Sequence, residues 1–206
     1  MRKFEQDSQP ESLLRSQMKN PTETEVKIRL PNSANASDNL HAAGFTQSVP
    51  RQFESNTLYD SPDHSLGEKG MLLRLRQIGE KGVITWKGPD DPGPFKSRPE
   101  LETTVASIET LDRILNWLGF QPVFRYEKYR TEFALSRNSA AVVSLDETPI
   151  GDFLELEGPG EWIDDTAKRL GFTRQDYVLD SYARLYVADC ERRGVEPSHM
   201  VFASHS

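Results

Sequence analysis

The chain has 206 residues, with 25 Lys+Arg against 32 Asp+Glu, a formal net charge of -7 and a single cysteine. That length can bury a core without disulfides; Cys190 cannot pair internally and suits a reducing compartment as an inert helix residue, and the acidic balance argues against a nucleic-acid footprint spread over the surface. No apolar run approaches the ~20 residues of a membrane helix, and MRKFEQDSQPESLL lacks the apolar block of a secretory signal, so no membrane partner is expected and the cytoplasm is the expected compartment.

Residues 1–20 hold little apolar periodicity beyond Leu13, Leu14 and Met18, and read as a flexible N-terminal extension. The domain proper begins near Pro21 and runs to about 193, leaving 194–206 as a C-terminal tail. Within it, alternating β-branched and aromatic segments recur at 22–30, 51–60, 70–79, 82–88, 98–106, 121–135, 140–147 and 151–158. Short turns such as Gly79-Glu80-Lys81-Gly82 are far too short for parallel crossovers, so neighbouring strands pair antiparallel. Helical patterns fall at 37–43, 108–118, 161–170 and 175–193. Three of them end in Ala-Gly-Phe or Leu-Gly-Phe, at 43–45, 118–120 and 170–172, where glycine suits a left-handed cap and phenylalanine restarts an apolar contact. A strand with paired acids, a helix, Gly-Phe and further strands occurs in 22–88 and again in 99–158, which suggests two related halves closing one sheet on itself.

Side chains two apart in a strand share a face. Glu23, Glu25 and Lys27 therefore line one side of the first strand, with Val26 and Ile28 behind them. The pattern returns as Arg74 with Arg76, Thr85 with Lys87, Glu100 with Glu102, Lys128 with Arg130, Ser144 with Asp146, and Glu155 with Glu157. One arrangement is an exposed polar face whose ion pairs contribute ~0–1 kcal/mol each. The other is a closed barrel with the charges inside and helices over the apolar outside. Arginine-rich basic positions, doublets segregated by sign and apolar residues on the opposite face favour the barrel. A charged interior needs contents, and a phosphate chain gripped by Lys and Arg, with a divalent cation on the carboxylates, meets that need.

The ordered series ExExK at 23–27, LRLR at 73–76, TWKG at 85–88, ELE at 100–102, Lys128-x-Arg130, Asp146 and ELE at 155–157 resembles the CYTH superfamily, the triphosphate tunnel metalloenzymes, over about 22 to 187. The resemblance implies an α+β protein built on a closed eight-stranded antiparallel tunnel that takes a small-molecule triphosphate with Mg²⁺ or Mn²⁺. It implies hydrolysis of the triphosphate or, in one branch, cyclisation of ATP to cyclic AMP; a non-catalytic polyphosphate binder is the reading from another class. By position, Lys27, Arg74, Arg76, Lys87, Lys128 and Arg130 correspond to phosphate binders. Glu23, Glu25, Asp146, Glu155 and Glu157 correspond to metal ligands, with Glu100 and Glu102 in the same shell, and Glu23, Glu25 and Lys27 to the catalytic strand. Arg125 joins the phosphate binders against its strand parity, and Arg184, in DSYARLY, stands where several triphosphatases carry a helix lysine. The segment 88–98 reads either as a lid over one mouth or as a long hairpin loop.

Overall fold

The computed structural model describes residues 22–136 and 141–203; the expected N-terminal extension lies outside them. The strands are β1 (Thr22–Leu30), β2 (Thr46–Asp60), β3 (Leu72–Ile78), β4 (Lys81–Lys87), β5 (Lys96–Val105), β6 (Gln121–Ala134), β7 (Val142–Thr148), β8 (Gly151–Glu157) and the two-residue β9 (Tyr177–Val178). The helices are α1 (Ala36–Ala42), α2 (Ser65–Glu68), α3 (Ile108–Trp117), α4 (Gly160–Arg169) and α5 (Tyr182–Arg193).

All pairings among the named strands are antiparallel, in the order β5-β4-β3-β2-β6-β7-β8-β1, and β1 then pairs back to β5 and closes an eight-stranded barrel. The closing seam is short, running from Thr22↔Pro99 to Glu25↔Lys96. Past it the same edge of β1 is covered by β9, through Lys27↔Val178 and Ile28↔Tyr177. The two halves suspected from the sequence are visible in this order. Each contributes a strand, a helix and a three-stranded meander, and the first strand of each half pairs with the last strand of the other.

The Gly-Phe signals are helix stops of the expected kind. Gly44, Gly119 and Gly171 have φ near +90°, and the N–H of Phe45, Phe120 and Phe172 donates to the carbonyl five residues back, on Leu40, Leu115 and Ala167. Each phenylalanine thereby folds under its helix toward the barrel. The long helix expected over 175–193 is shorter than its pattern. A 3₁₀ turn at Arg174–Asp176 and β9 take the first part, and α5 starts only where the Ser181 side chain accepts from the Arg184 N–H. β2 begins earlier than expected, at Thr46, because register shifts around Val49 absorb Pro50.

Inward and outward faces separate as the alternation predicts. Val26, Ile28, Val143, Leu145, Leu154 and Leu156 form an outer core with Leu40 and Ile163 of the covering helices α1 and α4. Leu75 and Tyr59 pack with Leu115 of α3 on another side of the barrel. A third cluster joins Tyr126 and Phe153 to Tyr182, Tyr186 and Cys190 of α5 and to Met200. Residues after α5 are therefore not loose throughout: the Met200 N–H donates to the Arg125 carbonyl, its own carbonyl accepts from Glu127, and its side chain is fully buried.

Leu156→Ala should cost ~2–5 kcal/mol of folding free energy, because a fully buried side chain leaves a cavity between sheet and helix. Urea unfolding of the variant checks this.

Candidate active site

Inside the barrel lies a cavity of about 410 Å³. Its wall carries Glu23, Glu25 and Lys27 from β1, Arg74 and Arg76 from β3, Lys87 from β4, Lys96, Arg98, Glu100 and Glu102 from β5, Lys128, Arg130 and Glu132 from β6, and Glu155 and Glu157 from β8. Ser181, Tyr182 and Ala183, where α5 begins, line it as well.

The charges form one continuous alternation around the barrel. Starting at β5, Arg98 approaches Glu23 at 3.9 Å and Glu23 pairs with Lys87, which reaches Glu100 at 3.0 Å. Glu100 and Glu102 lie 3.9 and 3.7 Å from Arg74, and Glu102 also holds Arg76 at 2.7 Å. Arg76 and Lys128 flank Glu54, each at 3.6 Å. Asp146 then joins Lys128 at 3.0 Å to Arg130 at 2.7 Å, and Glu155 joins Arg130 at 2.8 Å to Lys27 at 3.2 Å. Lys27 meets Glu25 at 3.0 Å, and Glu25 meets Lys96 at 3.2 Å, back on β5 two residues from the start. Most of these side chains are nearly inaccessible, Lys27 and Lys128 being 3% and 2% exposed. Each base is neutralised by its neighbours, which offsets the cost of burying so many ions.

The balance is uneven in one place. Glu25 stands directly across from Glu157 in the β1–β8 register, with Glu155 two residues away. Burial and repulsion from Glu155 and Glu25 lift the Glu157 carboxyl to about 7. Burial and Glu25 likewise lift Glu23 far above the carboxylate range. Glu25 itself goes the other way: against the cost of burial, Lys27 and Lys96 hold it well below its ordinary value. Directly opposed carboxylates are costly unless a cation sits with them. Their hard oxygen donors are those that Mg²⁺ and Mn²⁺ prefer. Among the described residues, no three or more His, Cys, Asp or Glu converge as a ready-made metal cage; the acids are turned onto the lysines and arginines instead.

Most residues expected from the sequence meet here, and three do not act as expected. Arg125 faces outward, lining a groove with Tyr59, Asp112 and Arg113 beside α3, as its parity requires. Arg184 lies one residue past the cavity-lining Ala183, and its side chain is 82% exposed, near Asp180. Asp146 is inside but does not line the cavity. Its oxygens accept from Lys128, Arg130 and the Tyr182 hydroxyl, which donates at 2.6 Å, so it braces the cations.

Lys96, Arg98 and Glu54 were not anticipated. Lys96 and Arg98 share parity with Glu100 and Glu102, a signal lost by giving 88–98 to a loop. That segment is a short hairpin: Asp91 bridges Ser97, and Phe95 packs into the outer core. Glu54 gave no doublet, since Asn56 and Leu58 follow it on the same face.

A closed antiparallel barrel with an inward ionic lining defines the class of charged-tunnel proteins. Residues 21–175 match the CYTH domain, and the chain belongs to that family. A Methanocaldococcus jannaschii protein named "putative adenylate cyclase" is 26% identical over 135 residues, covering 66% of this chain and 75% of the relative. A Vibrio parahaemolyticus structure, also described as a putative adenylate cyclase, superposes with a TM-score of 0.71 at 19% identity, over 81% of this chain and 98% of that one. A Hippeastrum structure, described as a putative adenylyl cyclase with a dominant triphosphatase activity, gives 0.55 at 17% identity over 85% and 97%. At these identities, the two structures establish the shared fold. No helix among the described residues is long and apolar enough to cross a membrane.

Glu157→Gln should stabilise the ligand-free protein in a pH-dependent way. The folded-state value lies above the ordinary 4.5, so wild type loses stability as pH rises from about 4.5 through about 7. The variant lacks that loss, and its advantage should grow from near zero at about pH 4 to ~1–3 kcal/mol at about pH 8. Urea unfolding of both proteins across that range checks the sign.

Proposed function

We propose that this protein hydrolyses a triphosphate inside the tunnel with the help of Mg²⁺ or Mn²⁺. The observation that carries the reading is the ring of buried, cavity-lining lysines and arginines, each held by an exchangeable carboxylate rather than by packing. A phosphate chain entering the tunnel would offer these cations more acceptor oxygens and more negative charge than the carboxylates they face. Glu23, Glu25, Glu155 and Glu157 are the carboxylates that would hold a divalent cation. When bound, it supplies charge neutralisation at phosphoryl oxygens.

In the reaction, water attacks the terminal phosphorus in line with the bridging oxygen, a P–O bond forms as the bridging bond breaks, and the leaving diphosphate takes the electron pair. Arg74, Arg76, Lys128 and Arg130 are fixed by β-strands, so they meet the charge that develops on equatorial and leaving oxygens with little reorganisation. Lys27, buried between Glu25 and Glu155, orders the two acidic strands beside this track. Lys96 and Arg98 extend the track to the β1–β5 seam.

The names of the relatives favour a second reading, cyclisation of ATP with release of pyrophosphate. Hydrolysis is preferred because, among the described residues, the two aromatic side chains lining the cavity are already engaged, and the Tyr126 ring stacks on Phe124. Tyr126 accepts from Arg74, and Tyr182 lies under Lys27 and Lys128 at 5.3 and 5.4 Å while bonding Asp146. Neither ring is disposed to stack a base.

Purified protein should release phosphate from inorganic triphosphate with Mg²⁺ or Mn²⁺ and lose that activity in chelator. Arg76→Ala should lower turnover by ~10²–10³-fold, whereas Arg125→Ala should leave it unchanged, being on the outer face. Cyclic AMP with pyrophosphate from ATP, and no phosphate from triphosphate, would decide for the cyclase.

A further inference from the structure

Asn56 is fully buried, on the same inward face of β2 as Glu54 and the cavity-lining Leu58. It stands opposite Arg76 on β3 and Tyr126 on β6, both of which line the cavity. Neither its Nδ2 nor its Oδ1 has a hydrogen-bond partner among the described residues. Three further buried orphan atoms sit on the same β2–β3 wall, Glu54 Oε2, Arg74 Nε and Arg76 Nε, while another, Arg98 Nε, lies on β5. Glu54 does face Lys128, but at 3.6 Å, beyond hydrogen-bond length. Buried polar atoms without partners are rare and costly, and so many on adjacent residues of one wall mark a place where partners arrive with a ligand.

The chemistry of the orphans says what that ligand offers. The arginine nitrogens and Asn56 Nδ2 are donors and need acceptor oxygens. Glu54 Oε2 and Asn56 Oδ1 are acceptors and need a proton-bearing neighbour. A phosphoryl group accompanied by one ordered water supplies both kinds. In the free protein, Arg74 and Arg76 reach toward Glu100 and Glu102.

We propose that Asn56, which belongs to neither the phosphate binders nor the acids named above, positions one phosphoryl group and its attendant water against Arg74 and Arg76. This rests on the triphosphate reading above. When the phosphoryl oxygens draw Arg74 and Arg76 away from Glu100 and Glu102, the Asn56 amide is uncovered; Nδ2 donates to phosphoryl oxygen, while Oδ1 and Glu54 accept from the water.

The test uses Asn56→Leu, close in shape without the polar atoms, and Asn56→Ser, which keeps one hydroxyl. Inorganic triphosphate is titrated into each full-length protein with and without Mg²⁺, reading calorimetric affinity and unfolding temperature. Asn56→Leu should unfold, ligand-free, at or above the wild-type temperature, since removing an unsatisfied amide costs the fold nothing. Its triphosphate affinity should fall about tenfold to a hundredfold, with Asn56→Ser in between. Wild-type affinity in Asn56→Leu overturns the proposal, as does failure of both variants to fold, which would make Asn56 structural. A defect seen with ATP but not with inorganic triphosphate overturns the assignment to a phosphoryl group. Wild-type protein that binds no triphosphate under either condition removes the functional reading, and this one with it.

Discussion

The alternating belt of acids and bases around the inner wall is the interaction on which the rest of this molecule depends. A barrel interior of this width filled with apolar side chains would be an ordinary core; filled with unpaired ions it would not fold. Alternation resolves the conflict, because every cation from Lys87 on β4 around to Lys27 on β1 touches a carboxylate on each side. Such an arrangement contributes little net stability, since desolvation consumes much of the Coulombic gain. Folding free energy must come from elsewhere, and the apolar outer face under α1, α3 and α4 is where it is found.

This division of labour between faces leaves the lining available for chemistry. On the proposed reading, an entering anion would not need to find bare cations; it would replace carboxylates that are already in place, and the displaced acids would become donors for a metal. Glu25 and Glu157, opposed across β1 and β8, are the point where the free protein tolerates repulsion. Such an exchange would let the same barrel be compact on its own and receptive to a ligand.

The two ends of the site are built differently. Where α5 begins, Tyr182 ties its helix to the belt through Asp146 and packs on Phe153, while the Met200 segment binds β6 behind it. Opening there would break a hydrogen bond to a buried carboxylate. At the β1–β5 seam, closure relies on the pairs from Thr22↔Pro99 to Glu25↔Lys96, and the hairpin before Lys96 is pinned by Phe95 against the outer core. The pseudo-twofold relating the halves runs through that seam and through the much longer β2–β6 contact, the two places where equivalent strands pair with each other.

What the sequence determined by itself was local and periodic. Alternation in TETEVKIRL, LLRLR and FLELE set which residues share a face, and Gly-Phe marked where helices stop, because side-chain direction and left-handed caps depend only on neighbouring residues. Parity even ruled correctly on Arg125, which the resemblance had placed among the phosphate binders and the structure puts outside. Tertiary structure alone decided which strand meets which, and therefore the order of the belt. That order set Asp146, expected among the metal ligands, against Lys128 and Arg130, added Lys96 and Arg98 through the β5 seam, and set Asn56 between Arg76 and Tyr126. Partners across a barrel are distant in sequence, and their pairing follows from closure of the sheet, which no local pattern encodes.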